Sequence, residues 1–347
     1  MGISIKLEQP GLLTTIQDQG RRDFFSSALS RGGAQDWFAL TMANLLVGNE
    51  ESAAGLEITG LGPTISFSDS VCIACCGAPV LAKMSQGAAA PISLPLHRPV
   101  VIPKDARIRF THFTRGFRAW IAFAGGIQSP ACLGSRSSHL AAEVGPPRLS
   151  AKTVLHLGVA AKKNTQRISA HLRAEYSAGH PHQDAPPLLA PQWSIADHLL
   201  DHWPVLNIPV LRGRHFDYLD TTQRQLLLGE QWQIDARSNR QGLALNGPTL
   251  KTTDMPQILS EPVRYGTVQL PSGGKPFILM SEHQTTGGYP RILEIVSAAR
   301  PLLAQASPES RIRFVEVDLA IANNLNAASQ RNRQLKYLAI QERLRLT

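Results

Sequence analysis

The chain has 347 residues, of which 43% are apolar and 18% charged, with 27 glycines, 24 prolines and a formal net charge of +9 at neutral pH. That length exceeds what one ordinary core encloses, so two domains are expected, and no apolar run is long enough to cross a bilayer as a helix. The opening MGISIKLEQPGLL lacks a basic segment, an apolar stretch and a small-residue cleavage site, so a cytoplasmic protein is expected.

Along the chain, short apolar or alternating stretches recur between turn residues: ISIKLEQP, TISFSD, VCIACCG, RIRFTHF, AWIAFAGG, TVQLP, PFILM and RIRFVEV. Such spacing predicts a mainly β chain built as barrels or sandwiches, not as alternating βα units. A first helix is predicted in GGAQDWFALTMANLLVGN, with Asp36 as its cap, Phe38, Met42, Leu45 and Leu46 on one face and Gly48 as its stop. Three of the four cysteines, Cys72, Cys75 and Cys76, crowd one strand-like stretch and read as small buried hydrophobes. With only Cys132 left over, neither a disulfide framework nor a zinc site is favoured.

The Pro- and His-rich stretch from Ala178 to Gln192 reads as a linker. Helices are predicted in SIADHLLDHWP, in RILEIVSAARPLLAQA with an interruption at Pro301, and from about Asp318 to Leu346 with Ile321, Leu325, Ala328, Leu335 and Leu338 as its apolar positions. The expected division is an N-terminal β domain over residues 1–200, a C-terminal β domain over 201–317 and a basic helical tail over 318–347, mobile or bound to a partner. Residues 331–347 hold five basic residues against one acid, so much of the positive charge belongs to this tail. No basic run interleaved with aromatics marks a nucleic-acid site, and a solvated helix face or a contact with an acidic partner subunit fits better.

Three constellations could carry chemistry. The segment Ser281–Pro290 follows the apolar strand PFILM and offers the amide and hydroxyls of Gln284, Thr285 and Thr286 beside two glycines, Gly287 and Gly288. Glycines there let backbone approach a ligand or adopt positive φ; the competing reading is a plain hairpin turn. The turn Ser238-Asn239-Arg240-Gln241-Gly242 offers an amide and a forked cation suited to a carboxylate, or is a simple surface turn. Glu261 supplies a carboxylate for general base work or for pairing with a cation, or is a solvated strand end. The loops around Gln17-Asp18, Gly125-Gly126-Ile127 and Leu133–Ser137 have the same character, but lack an unusual acid or base and read more readily as turns. His198 and His202 stand one helical turn apart without a third ligand and read as a surface helix face. No phosphate loop and no nucleophile elbow is present.

Read together, PGLLTTIQDQGR (10–21), GGAQDWFALTMANLLVGNEESAAGLEIT (32–59), RAWIAFAGGI (118–127), LGSRS (133–137), SNRQGLALNGP (238–248), GTVQLPSGGKPFIL (266–279) and QTTGGYPRI (284–292) resemble the 5-oxoprolinase C-subunit family. That family is also described as biotin-dependent carboxyltransferase or allophanate hydrolase subunit 2-like. The resemblance implies two cyclophilin-like β-barrel domains and association with homologues of the B-subunit and the A-subunit of 5-oxoprolinase. It implies ATP-dependent opening of the lactam of 5-oxo-L-proline to L-glutamate, with ATP used by the complex and no cofactor held tightly by this chain. Alternatives are biotin-dependent carboxylation of urea or another amide, with biotin on a separate carrier, and a non-catalytic regulator that binds a B-subunit homologue.

Residues and resemblance together nominate Glu261, Glu282, Gln284 and Thr286 as catalytic. They nominate Ser238, Asn239, Arg240, Gln269, Thr285, Gly287, Gly288 and Tyr289 as substrate-binding, and no metal ligand. Three positions depart from the family pattern: Asn239 replaces an acid, Gln241 a methionine and Glu282 an aspartate.

Overall fold

Apolar stretches bounded by Gly, Pro and Asp become strands in both halves of the molecule, seen here in a computed structural model that describes residues 2–180, 186–195, 199–201, 203–252 and 258–344. The N-terminal half carries β1 (Ser4–Gln9), β2 (Leu13–Gln17), β3 (Gly55–Thr59), β4 (Thr64–Phe67), β5 (Val71–Gly77), β6 (Val80–Ser85), β7 (Ile92–Ser93), β8 (Val100–Ile102), β9 (Arg107–Phe113), β10 (Arg118–Phe123) and β11 (Val154–His156). They form a six-stranded sheet in the order β11-β1-β4-β9-β6-β7 and a five-stranded sheet in the order β2-β3-β10-β5-β8.

The five-stranded sheet is the middle layer. Helices α1 (Trp37–Leu46) and α2 (Ala161–Gly179) pack against it, while Phe67 of the six-stranded sheet reaches to within 6.4 Å of Phe123 on β10. With both faces covered, β10 is buried along its whole length and β5 nearly so, which is why their sequences read as continuous apolar runs. Strands β6 and β9 have one solvated face and alternate instead. Cys72, Cys75 and Cys76 are buried on β5 and form no disulfide, and burial pushes the Cys72 and Cys75 thiols up to about 12.

In the C-terminal half, β12 (Val205–Arg212), β13 (Trp232–Ile234), β14 (Gly242–Asn246), β15 (Glu261–Pro262), β16 (Thr267–Gln269), β17 (Phe277–Leu279), β18 (Thr286–Gly287), β19 (Arg291–Ile295) and β20 (Arg311–Glu316) are joined by α3 (Thr221–Gly229), α4 (Arg300–Ala304) and α5 (Leu319–Leu344). Seven strands close into a barrel in the order β12-β19-β16-β17-β14-β13-β20, and β15 pairs with β18 outside it. The mainly β architecture is therefore as expected, with the closed barrel in the C-terminal half and two stacked sheets in the N-terminal half. Each half has its own apolar core, and Ala304 of α4 with Ile340 and Leu344 of α5 joins that of the N-terminal half.

Helix α1 matches the sequence reading closely: the Asp36 carboxylate accepts from Phe38 N and Ala39 N, and Gly48 follows the helix at φ +71°. Three readings are corrected. The stretch RILEIVSAARPLLAQA is strand β19 followed by short helix α4, because Pro301 sits in the first turn, where its missing N–H costs nothing. Residues Ala178 and Gly179 end α2, so the linker expected from Ala178 begins as helix. The C-terminal helix docks against α1, with Ala322, Ile340 and Leu344 buried, and its predicted apolar positions point outward. His198 and His202 lie outside the described residues.

Candidate functional site

Strand pairing brings part of the predicted site together. Glu261 on β15 lies opposite Gly287 on β18, and Pro262 opposite Thr286, so Glu261 borders the QTTGG segment. Gln269, at the end of β16, accepts a 3.0 Å hydrogen bond from Gln284 Nε2 through its own Oε1. Its Nε2 is buried with no hydrogen-bond partner among the described residues, which leaves a donor facing Gly287. A Cβ at Gly287 would stand 2.5 Å from that nitrogen, and one at Gly288 would stand 3.1 Å from the Ile258 carbonyl oxygen. A side chain at 287 would push the Gln269 amide aside and one at 288 would crowd the Ile258 carbonyl; neither glycine has positive φ. Gln284, Thr286 and Tyr289 are exposed, while Thr285 is buried and its carbonyl accepts from Val263 N.

Glu261 is not a bare carboxylate. Its Oε1 accepts from Arg291 Nε at 2.7 Å and its Oε2 from Arg214 Nη1 at 2.9 Å. His215 Nδ1 is 3.9 Å away but accepts from Arg291 N, so this ring is neutral, and burial lowers its pKa against the pull of Glu261. The result is a polar cluster of two arginines, a histidine and a glutamate beside the exposed amides and hydroxyls.

Arg240 and Glu282 point elsewhere. The Arg240 guanidinium is buried against the N-terminal half, where it pairs with Glu57 through Nη1 and with Glu282 through Nε, and donates Nη2 to Gly33 O and Ser281 Oγ. Burial works against its charge, but Glu57 and Glu282 outweigh that and hold its pKa above the ordinary value. Glu57 Oε2 also accepts from Gln35 N and Trp120 Nε1, and Glu282 Oε2 from Ala141 N. A forked cation with every arm committed has no face for a ligand carboxylate; its observed work is to join the two halves. Ser238 and Asn239 shape their own turn, Ser238 Oγ accepting from Ala244 N and Asn239 Oδ1 from Gln241 N.

The N-terminal loops that read most readily as turns line a cavity of about 1140 Å³. Its walls include Asp18–Gly20, Gly48–Glu50, Gly125–Gln128 and Leu133, Gly134 and Arg136. Asp18 fixes two of these walls to each other by accepting from Ser135 Oγ, Ser137 Oγ, Arg136 N and Gly20 N. QTTGG residues are not among its lining. Residues 24–32 run from this cavity to the residues just before QTTGG: Phe24 lines the cavity, the Phe25 ring lies 6.4 Å from that of His283, and Gly32 N donates to Ser281 O. The signal for this convergence was in the sequence, as glycine-punctuated loops of one character far apart in the chain.

Among the described residues no group of three His, Cys, Asp or Glu side chains is arranged to hold a metal ion, and no helix is long and apolar enough to cross a membrane. The family described as "Carboxyltransferase domain, subdomain A and B" matches residues 27–316. The chain is 33% identical to the C-subunit of Escherichia coli 5-oxoprolinase over 96% of its own length and 97% of that protein. It is 26% identical to urea amidolyase of Saccharomyces cerevisiae over 93% of its length but 17% of that protein. Among solved structures, TTHA0988 superposes with a TM-score of 0.70 at 26% identity, covering 90% of this chain and 55% of that one. Kluyveromyces lactis urea carboxylase superposes with a TM-score of 0.78 at 21% identity, covering 96% of this chain and 29% of that one, which is a likeness of fold. The chain therefore spans about half the length of the first of these solved structures and a smaller part of the urea enzymes.

Proposed function

The chain belongs to the family of the 5-oxoprolinase C-subunit and the carboxyltransferase domain, subdomains A and B, and from that premise we propose that it is one component of an enzyme complex opening the lactam of 5-oxo-L-proline to L-glutamate with ATP. The observation that carries this reading is the 33% identity to a 5-oxoprolinase C-subunit over nearly the whole of both chains. Its partners would be homologues of the B-subunit and the A-subunit, in the cytoplasm. A lactam is a resonance-stabilised amide, so the chemical problem is to activate it. With no phosphate loop in this sequence, the nucleotide is handled by a partner.

This chain's own part is to hold the amide plane. The exposed Gln284 amide and Thr286 hydroxyl would meet the polar edge of the lactam, with buried Gln269, whose Oε1 accepts from Gln284 Nε2, fixing the Gln284 amide. Gly287 leaves room for the Gln269 amide. Glu261, anchored by Arg291 and Arg214, supplies the fixed carboxylate beside it.

A second reading, transfer of a carboxyl group from biotin on a separate carrier to urea or another amide, is favoured by the match to urea amidolyase over 93% of this chain. The two readings separate on reconstitution. The chain, co-purified with its candidate partners, is expected to release glutamate from 5-oxoproline only when ATP is added. Absence of turnover in a complex that forms and binds 5-oxoproline would overturn the lactamase reading. Gln284→Ala and Thr286→Ala are each expected to abolish that turnover while leaving the melting temperature unchanged; wild-type rates in both would remove the segment from the site.

A further inference from the structure

Helix α5 buries one face and exposes another that is equally apolar. Ala322, Ile340 and Leu344 are buried, and Arg333 lies over the Trp37 and Phe38 rings at 4.4 and 5.1 Å from their centroids. Displaced by about a third of a turn from that docked face, positions 321, 325, 328, 332, 335 and 339 follow one another in steps of four and three. They carry Ile, Leu, Ala, Asn, Leu and Ala, and all six are exposed. The large members keep much of their surface in water: Ile321 46%, Leu325 37%, Leu335 60%, with Leu338 beside them at 50%.

Alternating steps of four and three are the spacing of a coiled-coil seam, with Asn332 at a core position of the kind that sets register. A seam of this length left in water is costly, and none of the other described residues covers it. The charges beside it say what would: Arg331 flanks one side and Arg343 the other, against Glu342 alone, while Lys336 lies over the Phe38 ring on the docked face. A second copy of α5 would set cations against cations, whereas an acidic helix would pair with them.

We propose that the outer face of α5 is a docking surface for an amphipathic helix of a partner protein whose apolar seam is flanked by Asp and Glu. The inference goes beyond the lactam chemistry and does not depend on it, since none of these residues touches the candidate site.

The probe is a synthetic three-heptad peptide with a leucine seam flanked by glutamates, compared with its lysine-flanked counterpart, by fluorescence anisotropy against the intact chain. The acidic peptide is expected to bind, more weakly as salt is raised, and the lysine peptide not to bind. Leu325→Ser with Leu335→Ser is expected to weaken binding by at least about thirtyfold with an unchanged melting temperature, because both side chains are exposed. Arg331→Glu with Arg343→Glu, which leaves the apolar seam intact, is expected to reverse the preference between the peptides. Equal binding of both peptides, no binding of either, or wild-type binding by the serine variant would overturn the proposal. So would dimerisation of the chain alone that the serine variant abolishes, since the occupant would then be a second copy.

Discussion

Arg240 shows how a residue's chemistry can be legible while its address is not. Its forked cation was readable as a partner for carboxylates, and two carboxylates hold it; they are Glu57 and Glu282 of the same chain, not those of a ligand. Glu57 lies 183 positions upstream, and nothing in the local sequence says that a C-terminal turn will insert beneath an N-terminal sheet. Removing one partner from a buried ion triad leaves the others uncompensated, so Arg240→Ala is expected to lower stability by roughly 3–5 kcal/mol in urea denaturation. A loss below about 1 kcal/mol would mean that the glutamates are hydrated.

His139, at the edge of this network, adds a pH dependence. Its Nδ1 accepts from Ala142 N, so its Nε2 carries the proton toward Ser30 Oγ, 3.0 Å away. Burial lowers its pKa, Glu282 opposes that, and Arg21 and Arg240 add to it. Burial likewise lowers the pKa values of His215 and His283. As pH falls through about 6.5, the unfolded chain takes up protons that the folded chain refuses, so stability rises with pH in that window. The contribution of these three rings is full above about 6.5 and is lost below it. Urea midpoints measured on either side of that value are expected to drop on the acid side, and His139→Asn should reduce the slope. An unchanged slope in that variant would assign the effect to other groups.

Among the elements, legibility followed the strength of the local signal. Helix α1 was readable because a cap, an apolar stripe and a terminal glycine all agree; Asp36→Ala is expected to cost about 1 kcal/mol, and a thermal shift indistinguishable from zero would show that the cap is redundant. Helix α2 carries no comparable local signal, because its buried stripe is only Ala161, Thr165, Ile168 and Leu172 on an otherwise polar sequence. Strand β18 shows the opposite case, two residues whose role depends wholly on what lies across from them. The motif marked Gly287 as special, but its reason, the Gln269 amide 2.5 Å from where a Cβ would sit, needs the fold. Gly287→Ala is expected to displace that amide and lower kcat/KM of the reconstituted complex by about a hundredfold with little change in melting. Wild-type kinetics would show that Gln269 can swing aside without consequence.

For the molecule as a whole, length suggested two cores and the structure has two, yet the halves are fastened at more than one place. One fastening is the Arg240 triad. Another is Gln305, whose buried Oε1 accepts from Phe117 N and Arg118 N at 3.0 Å each, while Arg118 returns an Nη1–H to Ala304 O at 2.6 Å. Burial pulls the Arg118 guanidinium down to about 10, which marks how dry this second contact is. Both fastenings are polar contacts made across the junction, so they act on coupling between the halves. Wild-type protein is expected to melt in a single calorimetric transition with matching van't Hoff and calorimetric enthalpies. Arg240→Ala leaves Glu57 and Glu282 facing each other across the junction, and Gln305→Leu leaves two buried N–H groups unpaired. Each alone should lower the one transition; combined, they remove two of the polar fastenings between the sheets and the barrel, and the melt should split in two. Two transitions in the wild type, or one sharp transition in the double variant, would show that the halves are coupled by packing rather than by these polar contacts.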